Sequence, residues 1–155
     1  MKINICSTLL NGNRFPTIVS ESEIDYSGID SIINPKDIYD LVNYLFKASS
    51  MCEEHMYIIT LNQKNKVIGI FDSSHGTLSE ATVHPREIFI RAILCQSSSI
   101  ICVHNHPSGN SRPSSNDIEC TTRISKAGNI IGINLLDHII VGDGEFTSMR
   151  QEGLI

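Results

Sequence analysis

The sequence lacks most of the features that would place it in an extreme class. No apolar stretch is long enough to span a bilayer. Lys and Arg total 12 against 17 Asp and Glu, both signs spread along the chain with no basic run, so a nonspecific grip on phosphate backbones is not advertised. The five cysteines form no Cys-x-x-Cys pair, are odd in number and sit mostly in apolar runs; buried free thiols in a reducing compartment fit that pattern. The opening segment, MKINICSTLLNGNRF, turns polar too soon for a secretion signal, and a cytoplasmic protein is expected. His-Glu-x-x-His is absent, as are the His-x-Glu and Pro-Cys-x-x-Cys pair of zinc nucleobase deaminases and any glycine-rich phosphate loop.

What remains is an ordinary foldable composition. A chain of 155 residues, 41% hydrophobic and 19% charged, is long enough to bury one core and is neither disordered nor fibrous. No internal repeat or linker suggests a second domain.

Local patterns predict the elements. INICSTLL and FPTIVSESEIDY read as strands around an Asn11-Gly12 turn. Asn34-Pro35 caps a helix whose Ile38, Leu41, Val42, Leu45 and Phe46 recur at helical spacing, and it is expected to run to about Ser50. HMYIITL and KVIGIF, bridged by residues 62–65, form a hairpin. His84-Pro85 opens a second helix, with His84 as its cap, which Ser97, Ser98 and Ser99 end. SIICV, continuous and apolar, suits a central strand covered on both faces. Ser114 or Ser115 caps a helix from about Asn116 to Ala127, with Gly128 at its end. NIIGINLLDHIIVG, a turn at Asp143-Gly144 and EFTSM read as strands. Strands interleaved with helices make an α/β or α+β sandwich.

The chemistry concentrates after SIICV. His104 and His106 stand two apart as an extended segment leaves its strand, so their side chains emerge on one side. Pro107, Gly109 and Pro113 turn the chain, and Asp117 arrives in the first turn of the next helix. Two imidazoles and a carboxylate would leave a tetrahedral zinc one open position for water, as at catalytic sites. A histidine pair in a loop is also compatible with solvated or capping side chains, and spacing alone leaves both readings open.

His104-Asn105-His106-Pro107 followed by Ser114-x-x-Asp117 resembles the JAMM motif of JAB/MPN-type metalloproteases, spacing included. VHPREIF at 83–89, HNHPSG at 104–109 and LLDHIIVGDG at 135–144 are similar to bacterial RadC-like JAB-domain proteins, a likeness covering the chain from about residue 32 onward. The resemblance implies a cytidine-deaminase-like α/β sandwich, a central mixed sheet flanked by helices, over residues 32–155; residues 1–31, which it does not cover, are expected from their own pattern to be strands packed on it. It implies zinc at His104, His106 and Asp117, and hydrolysis of a peptide, isopeptide or other amide bond in an unidentified peptide or protein substrate.

By the same resemblance Glu54, ahead of HMYIITLN, matches the general acid and base, with Glu53 as the rival that a strand would point the other way. Ser114 matches the serine that donates to the oxyanion, or it serves as a helix cap. Asn105 points away and is structural. Asp137 either orients a ligand histidine or is a structural strand residue. His55 and His75 have no partner visible in the sequence. The competing reading is a DNA-repair-associated or mobile-element accessory protein without catalysis, for which Lys64, Lys66, Arg86 and Arg91 would have to form a basic patch.

Overall fold

A computed structural model of the chain describes residues 1–76 and 83–155. Its elements are β1 (Lys2–Leu10), β2 (Pro16–Asp25), α1 (Pro35–Phe46), a 3-10 turn at Ala48–Ser50, β3 (Glu54–Leu61), β4 (Val67–Gly76), α2 (Pro85–Leu94), β5 (Ser99–Asn105), α3 (Ser115–Ile131), β6 (Asn134–Val141) and β7 (Phe146–Ser148). The strands form one sheet in the order β2-β1-β4-β3-β5-β6-β7. It is mixed: β1 runs parallel to β4 and β5 parallel to β6, and the other neighbours are antiparallel. This is the α/β architecture expected, a central mixed sheet with helices on both faces. Among the described residues no helix is long and apolar enough to cross a membrane.

The period-2 alternation of the inner strands sorts their side chains into two cores. Tyr57, Ile59 and Leu61 of β3, Ile101 and Val103 of β5, and Ile139 and Val141 of β6 pack against Ile38, Leu41 and Val42 of α1. Met56 and Ile58, Ile100 and Cys102, and Leu135 pack on the other face against Ile88, Phe89 and Ala92 of α2 and Ile124 of α3. Every residue of β5 is buried, as a strand covered on both sides requires. The polar end of that strand, His104 and Asn105, is buried with the rest, at 0% and 1% exposure.

Beyond strands β4 and β5, which run on past KVIGIF and SIICV to Gly76 and Asn105, the boundaries of α1, α3 and β6 differ from expectation for local reasons. α1 stops at Phe46 because Lys47 turns left-handed, and residues 48–50 continue only as a 3-10 turn. α3 runs on through Gly128 to Ile131, and Gly132, at φ 83°, is the left-handed cap. Residues 129–131, read from sequence as strand, are therefore helix, and β6 begins only at Asn134.

Gly128 lies inside the helix because of what passes beside it. A Cβ there would stand 2.5 Å from the Ile133 carbonyl oxygen and 3.1 Å from the Phe89 ring, so α3 can meet α2 and its own exit only without a side chain. Helix propensity alone makes Gly128→Ala stabilising by about 1 kcal/mol. The clash reverses the sign, and we expect a net loss of about 1–3 kcal/mol, seen as a lower urea midpoint with unchanged slope. A more stable variant would contradict this packing.

Candidate metal centre

His104 follows Cys102 by two residues on β5 and so faces α2 and α3. The chain then leaves the sheet, held to it by a hydrogen bond from His106 N to the Val141 carbonyl at 2.9 Å. Gly109 takes φ 82°, its carbonyl accepts from Asp143 N at 2.8 Å, and Ser111 N donates to Glu145 Oε1 at 3.0 Å. This fastening requires Gly142, where a Cβ would lie 2.4 Å from the Gly109 oxygen. The loop thus returns to Ser114, which caps α3 and sets Asp117 in its first turn.

The three residues converge. His104 Nε2 lies 2.9 Å from His106 Nε2 and 3.3 Å from Asp117 Oδ1, and His106 Nε2 lies 3.5 Å from Asp117 Oδ2. Donors each about 2.0–2.1 Å from a tetrahedral zinc are separated by roughly 3.3–3.4 Å from one another. The separations here lie near that value, with Asp117 turning one oxygen to each ring, so the three residues form a group that could hold one metal ion.

Hydrogen bonds decide which ring nitrogen faces the centre. His106 Nδ1 lies 2.7 Å from the Asn110 carbonyl, which only accepts, so Nδ1 carries a proton and Nε2 is the nitrogen turned to the centre, able to lend its lone pair to a metal when the ring is neutral. For His104 the argument runs through three partners. The Thr121 hydroxyl donates to the Asp117 carbonyl at 2.6 Å, leaving its oxygen to accept from His138 Nδ1 at 2.6 Å. His138 Nε2 then has only a lone pair to offer His104 Nδ1, 2.8 Å away. His104 Nδ1 then donates, and its Nε2 is the nitrogen left for the centre. This chain needs a neutral His138, and burial, reinforced by the facing His104, holds that imidazole well below its ordinary range.

Asp117 is buried at 7% exposure. Burial alone would raise its carboxyl, but the contacts with His104, His106 and Ser114 outweigh that and hold it far below the carboxylate range, so it is ionised. Ser114 forms a capping box with it: the Ser114 hydroxyl donates to Asp117 Oδ2 at 2.6 Å, Ser114 N donates to the same oxygen at 2.7 Å, and Asp117 N donates back to Ser114 Oγ at 3.2 Å. The capping reading of Ser114 is the contact observed. His106 is pushed upward by its bond to Asp117, against burial, with the Asn110 carbonyl and the charges of Asp117 and Glu54 adding to it. The pocket attracts positive charge, whether proton or metal.

Glu54 is half-buried at the start of β3. Met56 is the register partner of His104, and Glu54 shares the face of Met56, hence of the centre. Glu53 is exposed. Asn105, between the two histidines, points to the opposite face and clamps this strand start: its Nδ2 donates to the Glu53 carbonyl at 2.9 Å, and its Oδ1 accepts from His55 N at 2.8 Å. It therefore grips the backbone on both sides of Glu54.

Of the remaining candidates, Asp137 is not the residue that touches a ligand histidine. It accepts from Ser148 Oγ at 2.5 Å, His138 N at 2.7 Å and Arg150 N at 3.1 Å, which ties β6 to β7 and leaves its neighbour His138 to meet His104. His84 caps α2, its Nδ1 accepting from Arg86 N at 3.1 Å. His55 and His75 do have a partner, Asp72. Lys64 and Lys66 are exposed in the β3–β4 turn; Arg86 pairs with Glu87, and Arg91 donates to the Glu87 carbonyl. No sequence motif marks Thr121 and His138 as a relay. The one legible signal for Thr121 was its i+4 spacing from Asp117 on the stripe Asp117, Thr121, Ile124 and Gly128, which α3 buries.

A family model described as RadC-like JAB domain matches residues 32–154. Among curated proteins, a UPF0758 protein of Clostridium acetobutylicum is 47% identical over 124 residues, covering 80% of this chain and 53% of that protein. A UPF0758 protein of Caldanaerobacter subterraneus is 46% identical over 123 residues, covering 79% and 52%. One from Desulforudis audaxviator is 52% identical over 101 residues, covering 65% and 44%. The chain spans about half the length of the curated relatives it matches. With the motif, the mixed sheet and the sequence matches in agreement, the chain belongs to the RadC-like JAB domain family.

Proposed function

We propose that this domain is a zinc-dependent hydrolase of a peptide, isopeptide or other amide bond. The observation that carries the reading is the convergence of two imidazole Nε2 atoms and an ionised carboxylate at separations suited to one metal ion. Held by His104, His106 and Asp117, a zinc ion would supply Lewis acidity for polarising a carbonyl and acidifying water.

The protein's own groups would do the rest. Glu54, on the face of the centre and close enough to act on the charge of His106, would take a proton from the attacking water and return it to the departing nitrogen. Asn105 would keep it there by gripping the strand on either side. Ser114 holds Asp117 in the free protein, and its exposed hydroxyl would turn to donate to the oxygen that gains charge. Thr121 and His138 would keep His104 in the tautomer that binds metal.

Three experiments test this. Purified protein should hold about one zinc tightly, and the double change His104→Ala, His106→Ala should remove it while the circular dichroism of the fold persists, because the two cores assemble without metal. Unfolding on chelation would mark a structural site instead. Glu54→Gln should keep the tight zinc and lose cleavage in a peptide and isopeptide screen, whereas Glu53→Gln should keep both; the reverse pattern would reject Glu54. Thr121→Val removes the acceptor for His138 and should weaken zinc binding by about 10–100-fold, with Thr121→Ser restoring it. Equal affinity in all three proteins would show that the relay does not orient His104.

A further inference from the structure

A second constellation stands on the opposite face of the sheet. His55 and His75 are register partners across the β3–β4 ladder. The ladder shifts by one residue between Met56 and Tyr57, so that Tyr57 faces Asp72 where a regular ladder would give Ser73. Residues 55 and 57 share a face of β3, and cross-strand partners share a face of the sheet. The bulge therefore brings Asp72 to the side of His55 and His75, when an unbroken ladder would point it away.

The three side chains meet there. His55 Nδ1 lies 2.9 Å from Asp72 Oδ2, His75 Nδ1 lies 4.0 Å from Asp72 Oδ1, and each residue offers a ligand atom within 4.8 Å of the other two. The His55 ring is held from behind: it lies parallel to Tyr57 at 5.7 Å, and Tyr57 stacks on Phe46 at 4.6 Å. Side-chain exposure rises from 14% at His55 through 34% at Asp72 to 66% at His75. Two donors thus meet, and the third lies on an exposed side chain 4.0 Å from the carboxylate they share.

We propose that His55, Asp72 and His75 bind a second divalent transition-metal ion, independently of the His104 centre. Two imidazoles and one carboxylate suit zinc, copper(II) or nickel and do not suit calcium or magnesium, which take all-oxygen shells. The site is open to solvent, so water completes the coordination, and binding is weaker and more exchangeable than at the buried centre. Strand alternation separates the two: Met56 is the partner of His104, and His55 points the other way. The ion would join the strand ends immediately beside Glu54 and its register partner Gly76.

Zinc titration of the purified chain, followed by calorimetry, tests the assignment. The wild type should take up a second equivalent after the tight one, saturating at submillimolar zinc. His75→Ala, at an exposed strand position, and Asp72→Asn should each abolish the second step and leave the first, with the fold checked by circular dichroism. Uptake by the wild type of a single equivalent that both variants retain, or a weak step that persists in either variant, would overturn the proposal. A wild type that shows only the weak step, lost in His75→Ala, would support this site while rejecting the His104 centre, so the two readings fail separately.

Discussion

An ionised carboxylate buried against two imidazoles is the constraint around which the rest of this molecule is arranged. A buried carboxylate without partners is costly enough that it would normally take up a proton. Asp117 stays charged because its oxygens meet Ser114 N, the Ser114 hydroxyl and the Nε2 edges of His104 and His106. Those partners come from separate places: the end of β5, the loop after it and the cap of α3. The fold has to bring them to one point and hold them there.

The holding is largely done by backbone and by small residues. The loop between His106 and Ser114 is fastened to the β6–β7 turn through the Gly109 carbonyl and Ser111 N, an approach that Gly142 permits by having no side chain. α3 comes close to α2 through Gly128, so the helix that carries Asp117 and Thr121 packs tightly on the face to which His104 points. Packing and polar chemistry share one stripe: Asp117 and Thr121 at the start of α3, Ile124 and Gly128 further along.

The alternation of β5 distributes tasks between its two sides. His104 faces the helices α2 and α3 and joins the relay through His138 and Thr121; Asn105 faces the other way and grips the start of β3 on both sides of Glu54. One strand end therefore supplies an imidazole and fixes the backbone of the half-buried acid beside it. The grip on β3 depends on the register of Met56 against His104, since a slip by one residue would turn Glu54 to the opposite face.

Local chemistry was sufficient for much of this. Asn34-Pro35, His84-Pro85 and Ser114-x-x-Asp117 are capping signals because the orphan amides of a first turn need acceptors, and each opens a helix where the sequence places it. SIICV announces a doubly covered strand through unbroken apolarity, and the two-residue spacing of His104 and His106 puts both rings on one side. What the sequence could not contain was the set of distances between elements far apart in the chain. Gly128 reads as a helix end because glycine usually is one, yet it lies mid-helix, where only the packed position of Phe89 and the Ile133 carbonyl explains it. Asp137 and His138 are adjacent, and the pairing of β6 with β5 decided that the histidine reaches His104 while the carboxylate ties down β7. Asp72 meets His55 and His75 only through a bulge in the ladder. Caps and periodicity follow from interactions within a few residues, and they are written in the sequence itself; strand register, bulges and close approaches are set by the whole sheet and its helices packing at once.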